Sequence, residues 1–221
     1  MRNKKNLLEN TKINYVYNKN KKGFFTYYER SIKKFDKIIK ESNGERIIQK
    51  YLEKNPILLL NAGLKGFFPF ASRRCALFSK VELGECFEPD LSFVHADSTG
   101  ACWTFIELKT ANVKLFNKNG DMSRYLNRAH KQIIQWQSWI KDNKAYAQAR
   151  LGELQKSARI YKDAEFCMEP RFVIIIGRRS TLNKDNNRLR IEMCNSNPRL
   201  EIVTYDRLIE PFRFDPSKEA D

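Results

Sequence analysis

The 221-residue sequence predicts a mixed α/β fold: one main domain in which helices cover a sheet. Two observations carry this. Apolar residues recur at helical spacing in some stretches and at strand-like spacing in others, in the order helix, three strands, helix, strand, helix, strand. One run, "RFVIIIGRR" (171–179), is continuously apolar before its glycine and arginines, as a central strand covered on both faces would be.

Residues 1–22 are polar and basic with few core formers, and read as a mobile arm or irregular lead-in. "FFTYYERSIKKFDKIIKES" places Tyr28, Ile32, Phe35 and Ile39 on one helical stripe. "NGERIIQKYLEKNP" is a second helix, with Asn43 as N-cap, Glu45 in the first turn, a stripe of Ile47, Ile48, Tyr51 and Leu52, and Asn55-Pro56 as a stop. Strand-like runs follow at 76–83, 89–95 and 102–110, with "ADSTG" turning between the last two. Ser123 caps a long helix whose stripe is Leu126, Ala129, Ile133, Trp136 and Ile140. Residues 141–169 are charged and weakly patterned, suited to further helix. After the apolar strand, "RLRIEMC" suits a helix, "LEIVTY" a short strand and "DRLIE" a last helical turn. The domain division is a basic N-terminal arm and helix at 1–42, the main domain at 43–214 and a short tail at 215–221.

Composition narrows the class. No run approaches the ~18 apolar residues of a membrane span, and the N-terminus lacks the apolar core of a signal peptide, so the cytoplasm is the expected compartment and no membrane partner is expected. Five scattered cysteines with no CxxC pair, and only His95 and His130 beside them, make a structural zinc site a poor reading; reduced thiols fit better. Net charge is +15, and residues 1–40 hold 12 Lys/Arg against 3 Asp/Glu. That balance favours polyanions, above all nucleic acid, although abundant lysine and asparagine also follow from an AT-rich genome.

The chemistry centres on "TFIELKT" (104–110). Along a strand, Glu107 and Lys109 share a face with Trp103 and Phe105, while Thr104, Ile106 and Leu108 point the other way. A carboxylate and an ammonium thus sit two apart in an apolar strand. One hairpin earlier, "EPDLSF" places Asp90 at the start of another apolar strand. Adjacent strands lie about 4.8 Å apart, so a matching register brings the two carboxylates together beside Lys109. Oxygen ligands in that arrangement suit Mg²⁺, which takes one or two carboxylates and keeps several waters. A Glu–Lys pair on a solvated strand face is the plainer reading of ExK alone; the apolar strand and the neighbouring PD weigh against it. Glu45 lies at the edge of its helix's buried stripe, where it also complements the helix dipole. Gln132 projects toward the side of Ala129 and Trp136, which suits a satisfied core amide as well as an active-site role.

Acid on a first helix, PD, ExK and glutamine on the next helix resemble the PD-(D/E)xK nuclease superfamily. More narrowly, "ERIIQKYLEKNPILL", "EPDLSF", "WTFIELKTA", "RAHKQIIQWQSWI", "FVIIIGRR" and "IVTYDRLIE" resemble, in order, the Shedu family of bacterial anti-phage nucleases. The resemblance implies a restriction-endonuclease-like core that cuts or nicks DNA with Mg²⁺ or Mn²⁺. It implies Asp90, Glu107 and the Leu108 carbonyl as metal ligands and Lys109 as the catalytic lysine. Glu45 and Gln132 would complete the site, and the chain would self-assemble into a homo-oligomer. Members of the family often carry a sizeable N-terminal region, and a stretch of about 40 residues with net positive charge precedes the matching segments here. Two alternatives stand beside this reading: a non-catalytic basic nucleic-acid-binding protein of the same fold, and a mobile-element nuclease outside defence.

Arg178 and Arg179, after the central strand, are candidate phosphate contacts, with solvated loop arginines as the plainer reading. Trp136 and Trp139 suit core packing better than base stacking, and His95 and His130 suit packing or surface roles.

Overall fold

A computed structural model provides the structure of the chain. It describes residues 12–16, 24–41, 44–56, 58–59, 62, 75–84, 86–97, 100–158, 160 and 170–210, with the side chains of 12–16, 24–29 and 97 left aside.

Among the described residues, six strands form one sheet in chain order: β1 (Lys12–Val16), β2 (Cys75–Ser79), β3 (Leu91–Asp97), β4 (Gly100–Leu108), β5 (Arg171–Ile175) and β6 (Leu200–Val203). The first four are an antiparallel meander. β4, β5 and β6 run parallel, joined by helical crossovers as parallel strands must be. The α-helices among the described residues are α1 (Phe24–Glu41), α2 (Glu45–Lys54), α3 (Arg124–Asp142), α4 (Lys144–Ser157), α5 (Lys184–Ser196) and α6 (Asp206–Ile209). This is the mixed sheet flanked by helices that the patterning predicts.

Two apolar layers sandwich the sheet. On one face Phe78, Trp103, Phe105 and Phe172 pack against Leu126, Ala129, Ile133 and Trp136 of α3 and Leu151 and Leu154 of α4. On the other, Leu77, Phe93, Ile106, Leu108 and Val173 pack against Phe35 and Ile39 of α1, Ile48 and Leu52 of α2, and Leu208 of α6. The alternation of Phe105 and Ile106 between layers follows from the strand's two-residue period. Trp103 keeps its indole N–H satisfied by donating to Gln155 of α4 at 3.3 Å.

Several local expectations are corrected. Lys12–Val16 is an edge strand paired antiparallel with β2, not an irregular lead-in. The N-cap of α2 is Gly44, in extended conformation, and Asn43 lies outside the described residues. β2 ends at Ser79 because Lys80 adopts a left-handed φ of 59°, which a continuing strand cannot hold. Ser123 does cap α3, its hydroxyl accepting from the Leu126 amide. The weakly patterned stretch contains α4, and α5 begins four residues before "RLRIEMC". Among the described residues, no helix is long and apolar enough to cross a membrane, and Cys75, Cys86, Cys102 and Cys194 form no disulfide; Cys167 lies outside them.

Candidate active site

The β3–β4 register decides whether the two carboxylates meet. Leu91 pairs with Ile106, so one further antiparallel step sets Asp90 across from Glu107. Asp90 just precedes β3 and its Oδ2 accepts from the Leu108 amide at 2.8 Å, which anchors it to the strand bearing Glu107. Glu107 is buried, with 3% of its surface exposed, and receives the Lys109 ammonium on Oε1 at 2.5 Å. Glu45, the first residue of α2, reaches over the end of β4: its Oε1 accepts from the Thr110 amide at 3.2 Å and its Oε2 lies 3.9 Å from Lys109 Nζ.

Further bonds hold the sheet end together. Lys109 N donates to Ile175 O and Gly177 N to Thr110 O, extending the β4–β5 pairing past the strand ends. Tyr205, fully buried after β6, donates its hydroxyl to the Lys109 carbonyl at 2.6 Å. Gln49, one turn after Glu45, donates to the Asp90 carbonyl at 2.9 Å. Gln49's helical phase relative to Glu45 was a usable signal for it. Tyr205 lies 96 positions from its partner, and nothing local in sequence points to it.

The electrostatics follow from crowding anions at a desolvated edge. Burial, then the neighbouring Asp90 charge, push the Glu107 carboxyl up to about 7 despite Lys109 beside it. Burial also raises Asp90, against the opposing pull of the Leu108 amide and Lys109. Burial works against the Lys109 charge, but Glu107, Glu45 and Asp90 outweigh it and hold the ammonium above its ordinary range. Burial and the same three acids lift the Tyr205 hydroxyl well above its usual value, so it is a protonated donor at neutral pH. Three acids thus face one lysine, an excess of negative charge that a divalent cation would offset. The donor set fits such an ion: two carboxylates and waters are enough for Mg²⁺. Among the described residues no group of three or more His, Cys, Asp or Glu is arranged to hold a metal.

Gln132 is half-buried on α3, and no described hydrogen bond joins it to Glu107 or Lys109. Leu108 enters through its amide, bonded to Asp90. Arg178 is occupied by Asp206, at 2.9 Å, and lies 3.8 Å from Asp36 of α1. Arg179 pairs with Glu210, and its amide donates to Asp206. Asp206 is drawn below its usual range by these bonds, which overcome its partial burial. The two arginines therefore brace the segment after β5 against α1 and α6. Trp136 is a core residue, as its spacing predicts. His130 is half-buried, and burial lowers its pKa.

The structure so far defines an α/β protein with a carboxylate–lysine centre at the end of a mixed sheet. The family described as Shedu protein SduA, C-terminal, matches residues 42–209, and the chain belongs to that family. Its membership suggests a part in anti-phage defence. No curated protein matches the chain.

Proposed function

We propose that the chain is a metal-dependent DNA endonuclease of anti-phage defence, with a restriction-endonuclease-like core of the PD-(D/E)xK type. The observation that carries this reading is the convergence of Asp90, Glu107 and Lys109 at one sheet end, two strands' worth of charge where packing alone would favour apolar residues. Asp90 and Glu107 would hold Mg²⁺ or Mn²⁺, with the Leu108 carbonyl as a further ligand. When bound, the metal supplies Lewis acidity toward the phosphoryl oxygens and acidifies coordinated water. Lys109, held by Glu107 and Glu45, orients the attacking water and offsets charge developing on the phosphate. Tyr205 and Gln49 fix the backbone of the two strands and so the spacing of these groups. Gln132 belongs to this proposal as a water- or substrate-orienting residue, and self-assembly of the chain is part of it.

Supercoiled plasmid incubated with Mg²⁺ or Mn²⁺ tests the reading. Nicked or linear product is expected from the wild-type chain and not from Lys109→Ala or in EDTA. Equal cutting by the Lys109 variant would remove Lys109 from the mechanism, and metal-independent binding with no product would favour the non-catalytic basic module.

A further inference from the structure

The parallel strands β4, β5 and β6 carry the carboxylate–lysine centre at their C-terminal ends. At the opposite end of β5 and β6 lies a cleft of about 1010 Å³. Its walls come from the last turn of α3 (Lys141), the first residue of α4 (Lys144), the first residue of β5 (Arg171) and the turn before β6 (Arg199). No acidic residue is among its described lining. Among the described residues, Lys141, Lys144 and Arg171 have no ion pair, unlike Arg178 and Arg179 at the other end.

Helix stability does not account for all three. Lys141 suits a helix C-terminus, but Lys144 opens α4, where the dipole disfavours a cation and no first-turn acid compensates. Arg171 starts a buried strand in which the next four residues are all covered. The other surfaces of the cleft are also suited to a ligand. Gln137 and Asn197 exchange side-chain hydrogen bonds at 3.4 and 3.2 Å, presenting planar amides at the wall. Ile134 beside them leaves 48% of its surface in solvent, an apolar ground among cations.

We infer that this cleft is a second nucleic-acid site, which takes a single strand with its phosphates on Lys141, Lys144 and Arg171 and its bases against Ile134 and the amide pair. Unpaired cations supply the backbone contacts, and amides and exposed apolar surface supply the base contacts. At about 1010 Å³ the cleft is larger than a single nucleotide requires. β5 spans five residues, so its two ends, one at the cleft and one at the proposed catalytic centre, stand about 13 Å apart. The cleft binds whether or not that centre cuts.

The test is fluorescence anisotropy of a labelled 20-nucleotide single strand with the full chain in EDTA, where metal-dependent cutting cannot contribute. Lys141→Glu/Lys144→Glu is compared with Lys33→Glu/Lys131→Glu, an equal charge change on exposed lysines outside the cleft. The cleft pair is expected to weaken binding at least tenfold beyond the control pair. It should also lower the slope of log Kd against log salt by roughly 1.4, the loss of two single-strand phosphate contacts. Equal weakening by both pairs would overturn the site in favour of diffuse attraction, as would a loss in the cleft pair with an unchanged salt slope. Circular dichroism melts of both variants verify folding, and failure of plasmid cutting has no bearing on this outcome.

Discussion

Glu107 carries the sharpest residue-scale consequences, because its carboxyl is pushed up to about 7 in the folded chain against 4.5 ordinarily. Between those values the folded protein keeps a proton that the unfolded chain gives up, so stability falls as pH rises across that window. Asp90, also raised, acts in the same direction. In metal-free buffer, denaturant melts from pH 4.5 to 7.5 should lose up to about 3 kcal/mol, and Glu107→Gln should flatten the profile. Divalent metal should oppose the loss, since ligation needs ionised carboxylates. A thermal-shift titration is expected to show a Mg²⁺ or Mn²⁺ stabilisation that grows through pH 7 and disappears in Asp90→Asn. For Lys109→Ala, cleavage should fall by at least about 10²-fold, the usual worth of a positioned transition-state group, while the fold persists. Single-turnover rates measure the first effect and circular dichroism the second.

At the scale of elements, the sheet end depends on how β4, β5 and β6 stop. Gly177 has a left-handed φ of 65°, and a Cβ there would meet Val113 O at 2.6 Å and Leu115 Cδ1 at 2.7 Å. Gly177→Ala should therefore cost roughly 2–4 kcal/mol, through backbone strain plus a clash with main chain, seen as a lowered urea midpoint. Because the Gly177 amide bonds the Thr110 carbonyl, activity should fall along with stability. Tyr205→Phe removes one hydroxyl and leaves the Lys109 carbonyl short of a donor, for about 1–2 kcal/mol. Its expected signature is a reduced kcat with little change in KM, since the backbone of the lysine shifts while the substrate surface stays.

On the scale of the whole molecule, +15 net charge and clefts walled by cations make binding to polyanions strongly salt-dependent. The charge is not confined to the N-terminal segment. The clefts between α1 and α2 and beside α5 also have cationic linings without a described acid. Affinity for plasmid DNA in EDTA is expected to fall by orders of magnitude between 50 and 300 mM salt.

Much of this molecule was legible before any coordinates. Apolar patterning located five of the six described strands and the buried stripes of α1, α2 and α3, because burial on one face leaves its mark on every second or every third and fourth residue, whereas α4 lies in a charged stretch with little such mark. Asp90, Glu107 and Lys109 stood out because charge is costly in an apolar strand unless it has partners. β1 escaped because its five residues are embedded in a polar, basic stretch that hides a short β-prone run. Which cations were free and which were spent also escaped: Arg178 and Arg179 looked available, yet Asp206 and Glu210 engage them, while Lys141, Lys144 and Arg171 drew no notice. The sequence by itself determined the elements and the charged residues that one hairpin could bring together. Only the tertiary structure decided the register that sets Asp90 across from Glu107, the reach of Glu45 over the strand end and the anchoring of Lys109 by Tyr205. Local patterns are written by which face is buried, whereas these contacts join residues 18 to 96 positions apart and exist only once the sheet has closed.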